Sequence, residues 1–301
     1  MLFSDLLFDY IQLDTEVAND FVDGVLFDEL KVKKDYYEIR TDEESYEYGK
    51  PKGKYELVSI PNVIELSRDD LDYCIDEVAT SFSSMIGKVT SNDKILIVGL
   101  GNRHISSDSL GTSVVKGINI TFDNKYLPKV MAICPSVMGL TGIETVDIVE
   151  GVVKKIKPTH VILIDSLCAS NKVRLGRSIQ ITNTGICPGG GIGNKRKCIG
   201  ENIAKNVYSI GVPLLIYSST FVKNSFENCG VGIDDIDSIM QKLKETSKNS
   251  EEIKIMKGIK SILINKYDDM VVSLKDIEEC VQILSKIISS AINIALGVNE
   301  Y

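Results

Sequence analysis

A chain of 301 residues with 44% apolar and 25% charged side chains has the composition of a globular protein with a sizeable core, in one large domain or two small ones. It has no run of eighteen apolar residues, and its start, MLFSDLLFDY, carries acids where a signal peptide needs a basic n-region, so the cytoplasm is the expected compartment. The formal net charge of -8 is accounted for by residues 1–30, which hold eight acids and no Lys or Arg, and the neutral remainder offers no surface for tracking nucleic-acid phosphates.

Residues 1–30 alternate apolar and acidic positions. That pattern fits one amphipathic helix or two short ones, docked on the body or removed as a leader. Pro51 and Gly53 mark a turn, and residues 55–60 read as a strand. A helix follows, with Ser67 as N-cap, Asp69 and Asp70 in its first turn, and a stripe of Leu71, Ile75, Val78, Phe82 and Met85 or Ile86. Residues 95–98 form a buried strand, then the loop GLGNRHISSDS leads to a helix starting near Ser109 or Leu110. Asp108 stands just before that start, where capping and catalysis fit equally well.

Residues 129–134 are a second strand, closed by Pro135. In the loop that follows, Thr141 is the expected N-cap with Glu144 as its capping-box partner, and the helix ends at Pro158. HVILID, residues 160–165, is the most apolar strand and ends at Asp165. Residues 178–182 read as a short strand, whereas CPGGGIGN is too glycine-rich for a regular element. A helix is expected after Lys197, a strand at 212–217, weak helical signal over 221–257 and an amphipathic helix over 274–296.

Apolar runs that end at polar or glycine-rich loops are the pattern of a parallel α/β sheet with its chemistry at the strand ends. Neither glycine loop completes a nucleotide motif: His104 stands where GxGxxG needs glycine, and Arg196 follows Lys195 where a P-loop needs Ser or Thr. The seven cysteines are odd in number and lack CxxC spacing, so reduced thiols are expected, and two histidines are too few for a histidine-rich zinc site. No cofactor or metal is expected. A Cys–His pair drawn from Cys168 or Cys187 with His104 or His160 is disfavoured, because His160 begins the strand whose other end holds Asp165. Asp108 and Asp165 are the stronger pair. Loops after adjacent parallel strands meet, and two half-enclosed carboxylates can differ in pKa, so that one holds a proton while the other activates water for amide hydrolysis. Two unrelated structural aspartates remain the alternative on the residues alone.

The stretches VGLGN (98–102), DSLG (108–111), VMGLTGIET (137–145), KPTHVILIDSL (157–167), IQITNTGICPGGGIGNKRK (179–197) and IGVPLLI (210–216) resemble the spore germination proteases. Fainter matches are YEIRTD (37–42), MVVSLKDIEE (270–279) and AINIALG (291–297). The resemblance implies a three-layer α/β/α domain with a mostly parallel central sheet, related to the hydrogenase-maturation endopeptidases. It implies an atypical aspartic-type endopeptidase whose proposed catalytic acids fall on Asp108 and Asp165. Asn102, Glu144, Asn183, Gly189, Gly191, Asn194 and Lys195 become the expected substrate-loop or supporting residues. The implied substrates are the small acid-soluble proteins that coat spore DNA, and the implied assembly is a cytoplasmic homotetramer in the spore core or forespore, made as a zymogen, with no direct nucleic-acid or membrane partner. The RTD match sets a propeptide boundary near Asp42 and Glu43, giving an acidic leader over 1–42 and a single peptidase domain over 43–301.

The chain departs from the family pattern in three places. Asn183 stands where the family usually has Asp, Cys187 where it commonly has His, and Arg103 and His104 where Trp and Asn are frequent. Two alternatives stay open: a metal-assisted endopeptidase like the hydrogenase-maturation enzymes, using Asp108 and Asp165 as oxygen ligands, and a silent module that binds spore proteins without cutting them, which Asn183 with Cys187 would favour.

Overall fold

The computed structural model describes residues 4–11, 32–186, 198–200, 202–221, 251, 254, 258 and 270–299. Runs rich in Val, Ile and Leu, bounded by polar turns, form an eight-stranded sheet. Its strands are β1 (Lys33–Ile39), β2 (Gly53–Ser59), β3 (Lys94–Gly99), β4 (Lys129–Ile133), β5 (His160–Cys168), β6 (Ser178–Thr182), β7 (Val207–Tyr217) and β8 (Val271–Ser273), in the order β1-β2-β6-β7-β5-β3-β4 with β8 added beside β7. Strands β7, β5, β3 and β4 run parallel, whereas β1, β2, β6 and β8 join antiparallel. The sheet is thus mixed: the parallel unit carries the strand ends of interest, and the antiparallel flank extends it.

Helices cover both faces. On one side lie α2 (Arg68–Ile86), α3 (Leu110–Lys116) and α6 (Ile277–Ala295), packed on Val58, Ile97, Ile164, Ile181 and Val212. On the other lies α5 (Thr145–Ile156), whose Val146, Val149 and Val153 meet Leu96, Val98, Val161 and Leu163. Two short helices, α1 (Asp42–Tyr48) and α4 (Met138–Thr141), sit in the connections. The Ser67 cap is present as a reciprocal box with Asp70, and Cys74, Ile75, Val78, Phe82 and Ile86 form the buried stripe of α2. Lys157 closes α5 in the left-handed conformation immediately before Pro158.

Several expectations need correction. β5 does not stop at Asp165 but runs on to Cys168, because β7 continues to pair with it past a register shift at Leu167/Cys168. β7 itself begins at Val207, not near 212. The segment after Lys197 is no helix over its described residues; Ile199 bridges Ile186 and turns follow. Thr141 does not cap α5. Gly142, at φ 71°, ends α4 there, Thr141 Oγ1 accepts from Ile143 N at 3.2 Å, and Glu144 takes the N-cap position of α5 with no side-chain cap bond. Cys198 is disulfide-bonded, against the expectation of reduced thiols; Cys74, Cys134, Cys168 and Cys280 are free. The calls on residues 12–31, 187–197 and 222–250 lie outside the described residues.

β1 was not anticipated. Its burial is only partial until Ile39, so it lacks a clean alternation, and pairing with β2 across Lys33↔Ser59 to Ile39↔Gly53 is what holds it. The early part of the acidic leader is anchored as well. Leu6, Leu7 and Phe8 are buried against Ile39, Tyr55, Leu57, Leu167 and Ile216, on the sheet face that α5 leaves uncovered.

Candidate active site

Alternation along β5 sets the site. Ile162 and Ile164 face α2 and α6, while Leu163 and Leu167 face the opposite side, and Asp165 shares that opposite side. The register places Asp165 beside Gly211 of β7 and Gly211 beside Gln180 of β6, so Gln180 stands in the same row. Asp165 is only 8% exposed. Burial, then the nearby charges of Asp108 and Asp5, hold its carboxyl well above the ordinary carboxylate range, against one opposing hydrogen bond from Ser166 N to Oδ1 at 2.9 Å.

Asp108 arrives from the neighbouring strand. After β3 the chain is tied back to β5 by Leu100 N donating to Ile164 O at 2.8 Å. It then turns through Gly101 at φ 96°, where any side chain would also collide with the backbone oxygen of Asp108. Gly111, in the first turn of α3, faces the carbonyl oxygens of Ile164 and Leu100 so closely that a methyl group would not fit. These two contacts press the Asp108 loop onto the end of β5. Asn102 N donates to Asp108 Oδ2 at 2.9 Å, so the aspartate serves its own loop and does not cap α3, whose N-cap is Ser109. Burial pushes Asp108 up to about 6, and the Asn102 bond opposes the rise.

The other expected residues are spread out. Asn102 belongs to the pair through its backbone, and its Oδ1 accepts from His104 N at 3.0 Å. Asn183 does not join it: it lies beyond the row Thr182–Ser209–Leu163, away from Asp165, where its Oδ1 accepts from Lys54 N at 2.7 Å. An amide oxygen fills that acceptor role as well as a carboxylate would. Glu144 begins α5, and Asp42 and Glu43 are exposed in the first turn of α1. Gly189, Gly191, Asn194 and Lys195 lie outside the described residues. Cys168 is buried with its thiol pushed far up by burial and by Asp5, and no Cys–His pair forms on it: His104 is exposed, and His160 stacks on Tyr208 at the far end of β5. No group of three or more His, Cys, Asp or Glu side chains able to hold a metal converges among the described residues.

Sequence reasoning missed the residues around the docked N-terminal segment. Asp5 N donates to Cys168 O at 2.8 Å, and Cys168 N donates back to Asp5 Oδ2 at 2.9 Å, three residues past Asp165. Lys50 Nζ donates to the carbonyls of Ser4 and Asp5, each at 3.0 Å, and Leu7 N donates to Gln180 Oε1 at 2.9 Å. Asp9, with a side chain 1% exposed, accepts from Ser170 N at 2.7 Å and lies 2.8 Å from Arg174 Nε, a close ion pair not aligned as a hydrogen bond. Arg174 Nη2 also donates to Phe8 O at 3.0 Å. Burial lowers Lys50 and raises Asp5, each against the attraction of the other. One signal was available: Gln180 is the long polar residue inside the otherwise apolar alternation of IQIT.

The family model described as Germination protease matches residues 11–254. A germination protease of Clostridium perfringens (strain ATCC 13124) is 34% identical over 301 aligned residues, covering 93% of this chain and 90% of that protein. Those of Clostridium acetobutylicum and Caldanaerobacter subterraneus subsp. tengcongensis are 36% and 35% identical, covering 82% and 84% of this chain and 79% and 81% of their own lengths. This chain belongs to the germination protease family. It is therefore an enzyme acting on peptide bonds.

Proposed function

We propose that the chain is an endopeptidase that opens the degradation of small acid-soluble spore proteins during germination, with Asp108 and Asp165 as its acid–base pair. The observation that carries this reading is the unequal environment of the two carboxyls. Asp165 is the more deeply buried and feels two further negative charges, so it keeps its proton and acts as general acid toward the leaving amine. Asp108 is titrated near 6 and its ionised form is stabilised by Asn102 N–H, so at neutral pH it takes a proton from the attacking water. Water attack on the carbonyl carbon gives a tetrahedral centre, and proton delivery from Asp165 to nitrogen lets the C–N bond break.

The same reading includes a zymogen, a homotetramer and a location in the spore core or forespore. Asp42 and Glu43 are exposed enough for processing, but β1 lies on the N-terminal side of them and is paired along its whole length with β2. A cut there releases the docked segment only if β1 also leaves the sheet or a second cut falls before Lys33. The test is an intact-mass time course of a small acid-soluble spore protein mixed with the full chain, with its Asp9→Asn variant to loosen the docked segment, and with Asp165→Asn. Discrete fragments from either of the first two and none from the last support the reading. An intact substrate in all three, from folded protein, moves the weight to a silent binding module.

A further inference from the structure

We propose that Asn293 of α6 is a positioning residue for the acid pair: together with Glu278 it clamps both ends of α3, and so fixes the depth at which Asp108 stands beside Asp165. The proposal rests on the peptidase reading above.

α3 follows Asp108 almost directly and is only seven residues long, too short to hold a helix by itself. Its place, and that of the turn before it, is set by its neighbours. On the sheet side it rests on backbone. A methyl group on Gly99 of β3 would run into Gly111 O, and one on Gly111 would run into Ile164 O of β5, so the helix lies as close to those strands as backbones allow. On the other side lies α6: Leu110, Val114 and Ile118 share one buried cluster with its Leu284, Ile288 and Ile292.

Apolar contact is non-directional and leaves α3 free to slide along α6. Polar ties at both ends remove that freedom. At the far end Asn293, only 7% exposed, uses both halves of its amide: Nδ2 donates to Gly117 O at 2.9 Å, and Oδ1 accepts from Asn119 N at 3.0 Å. Asn119 Nδ2 in turn donates to Val298 O, just past α6, at 2.8 Å. At the near end Ser106 Oγ, two residues before Asp108, donates to Glu278 Oε1 at 3.1 Å. The Asn293 tie is buried and the Glu278 tie is exposed, so Asn293 carries most of the constraint. An amide on a largely apolar buried face is costly unless paired, and both of its groups here go to the backbone that ends α3. Gly117 completes the fit, because any side chain there would run into Ser289 Oγ of α6.

The clamp reaches the chemistry through the burial of Asp108, which holds its carboxyl up to about 6. The titratable groups around that carboxyl are Asp165 on β5, which feels its charge, Glu278 on α6, which reaches its turn through Ser106, and Arg103 and His104 in its own loop. An α3 that slips along α6 lets water reach Asp108, which lowers that value and moves the carboxylate off the water it activates.

The test follows the Asp108 carboxyl itself in the full chain, by carbon-detected NMR titration, with its signal identified by its loss in Asp108→Asn. Asn293→Leu keeps the side chain near its size and removes both bonds, and Gly117→Ala wedges α3 away from α6 by a separate route. Each is expected to lower the Asp108 midpoint by about 0.5 pH unit or more. Phe82→Leu, a core change in α2 beside Tyr208, should lower the melting temperature and leave the midpoint in place. In the chain carrying Asp9→Asn, Asn293→Leu should cut kcat for a small acid-soluble spore protein about tenfold with KM little changed, and its acid limb should move with the NMR midpoint. Glu278→Gln, whose amide oxygen still accepts from Ser106, should keep more of kcat than Glu278→Ala. Circular dichroism and melting establish that each variant is folded, and if Asn293→Leu fails to fold, Gly117→Ala decides. Unchanged midpoints in folded Asn293→Leu and Gly117→Ala overturn the proposal. So does an equal shift in Phe82→Leu, or full kcat in Asn293→Leu from a parent that cuts. Shifted midpoints in a chain whose parent cuts no spore protein would keep the clamp and sink the peptidase assignment of Asp108 and Asp165.

Discussion

Asp108 illustrates how one residue couples stability to function. Its folded-state value of about 6 lies above the ordinary aspartate value, so the folded protein binds this proton more tightly than the unfolded chain does. That stabilisation is complete below the unfolded value near 4 and is lost as pH rises through about 6, amounting to about 3 kcal/mol at most. Asp108→Asn removes the titration. Urea melts across pH 3.5–7.5 should show the variant gaining on the parent as pH rises, by up to about that amount; parallel curves would mean that Asp108 is not held as described. Asp165 adds a loss of the same sign at higher pH, because it too is raised by burial.

At the scale of elements, the docked segment is held by a narrow balance. Burying Leu6, Leu7 and Phe8 contributes roughly 5–9 kcal/mol, while fixing the backbone of residues 4–11 costs roughly 8–16 kcal/mol. The polar ties to Cys168, Gln180, Lys50, Ser170 and Arg174, each worth about 1 kcal/mol, decide whether it stays. Asp9→Asn leaves Arg174 without its countercharge, so hydrogen exchange at the amides of Leu6 and Leu7 should quicken at least tenfold while β5 amides keep their protection. Equal exchange in parent and variant would show that the ion pair does not hold the segment. This balance also explains what the sequence could and could not reveal. Strands β3 to β6 were legible as short apolar runs bounded by polar or glycine-rich turns, and helices α2, α5 and α6 because their burial follows a period that residue type reports. Asp165 and Asp108 were legible because polar residues at the ends of apolar runs stand out. Lys50, Gln180 and Arg174 were not, because what unites them is a non-local contact with residues 4–9, and β1 was not, because an edge strand half-exposed on both faces carries no clean alternation.

For the molecule as a whole, the mixed sheet separates two duties. The parallel unit presents the acid pair at strand ends, as expected of open α/β sheets. The antiparallel flank of β1, β2 and β6 supplies floor residues and Gln180 for the docked segment. After β4, which ends the sheet on the side away from that flank, Met138, Leu140 and Ile143 are each about half exposed, at 46%, 55% and 53%. An apolar cluster of this kind suits contact between subunits of the proposed tetramer. Leu140→Asp should therefore lower the molar mass seen by light scattering without lowering the melting temperature at high dilution; an unchanged mass would place any subunit contact elsewhere.

The central claim is that an ionised Asp108 and a protonated Asp165 cut the peptide bond together. The pH dependence of kcat/KM for a small acid-soluble spore protein tests it most directly, measured on the full chain carrying Asp9→Asn and again with Asp108→Asn added. The account predicts a rate that climbs through about pH 6 as Asp108 ionises and falls at higher pH as Asp165 loses its proton. The added Asp108→Asn change should remove at least a hundredfold of the rate. A rate with no acid limb near 6, or a double variant that cuts as well as its parent, would contradict it.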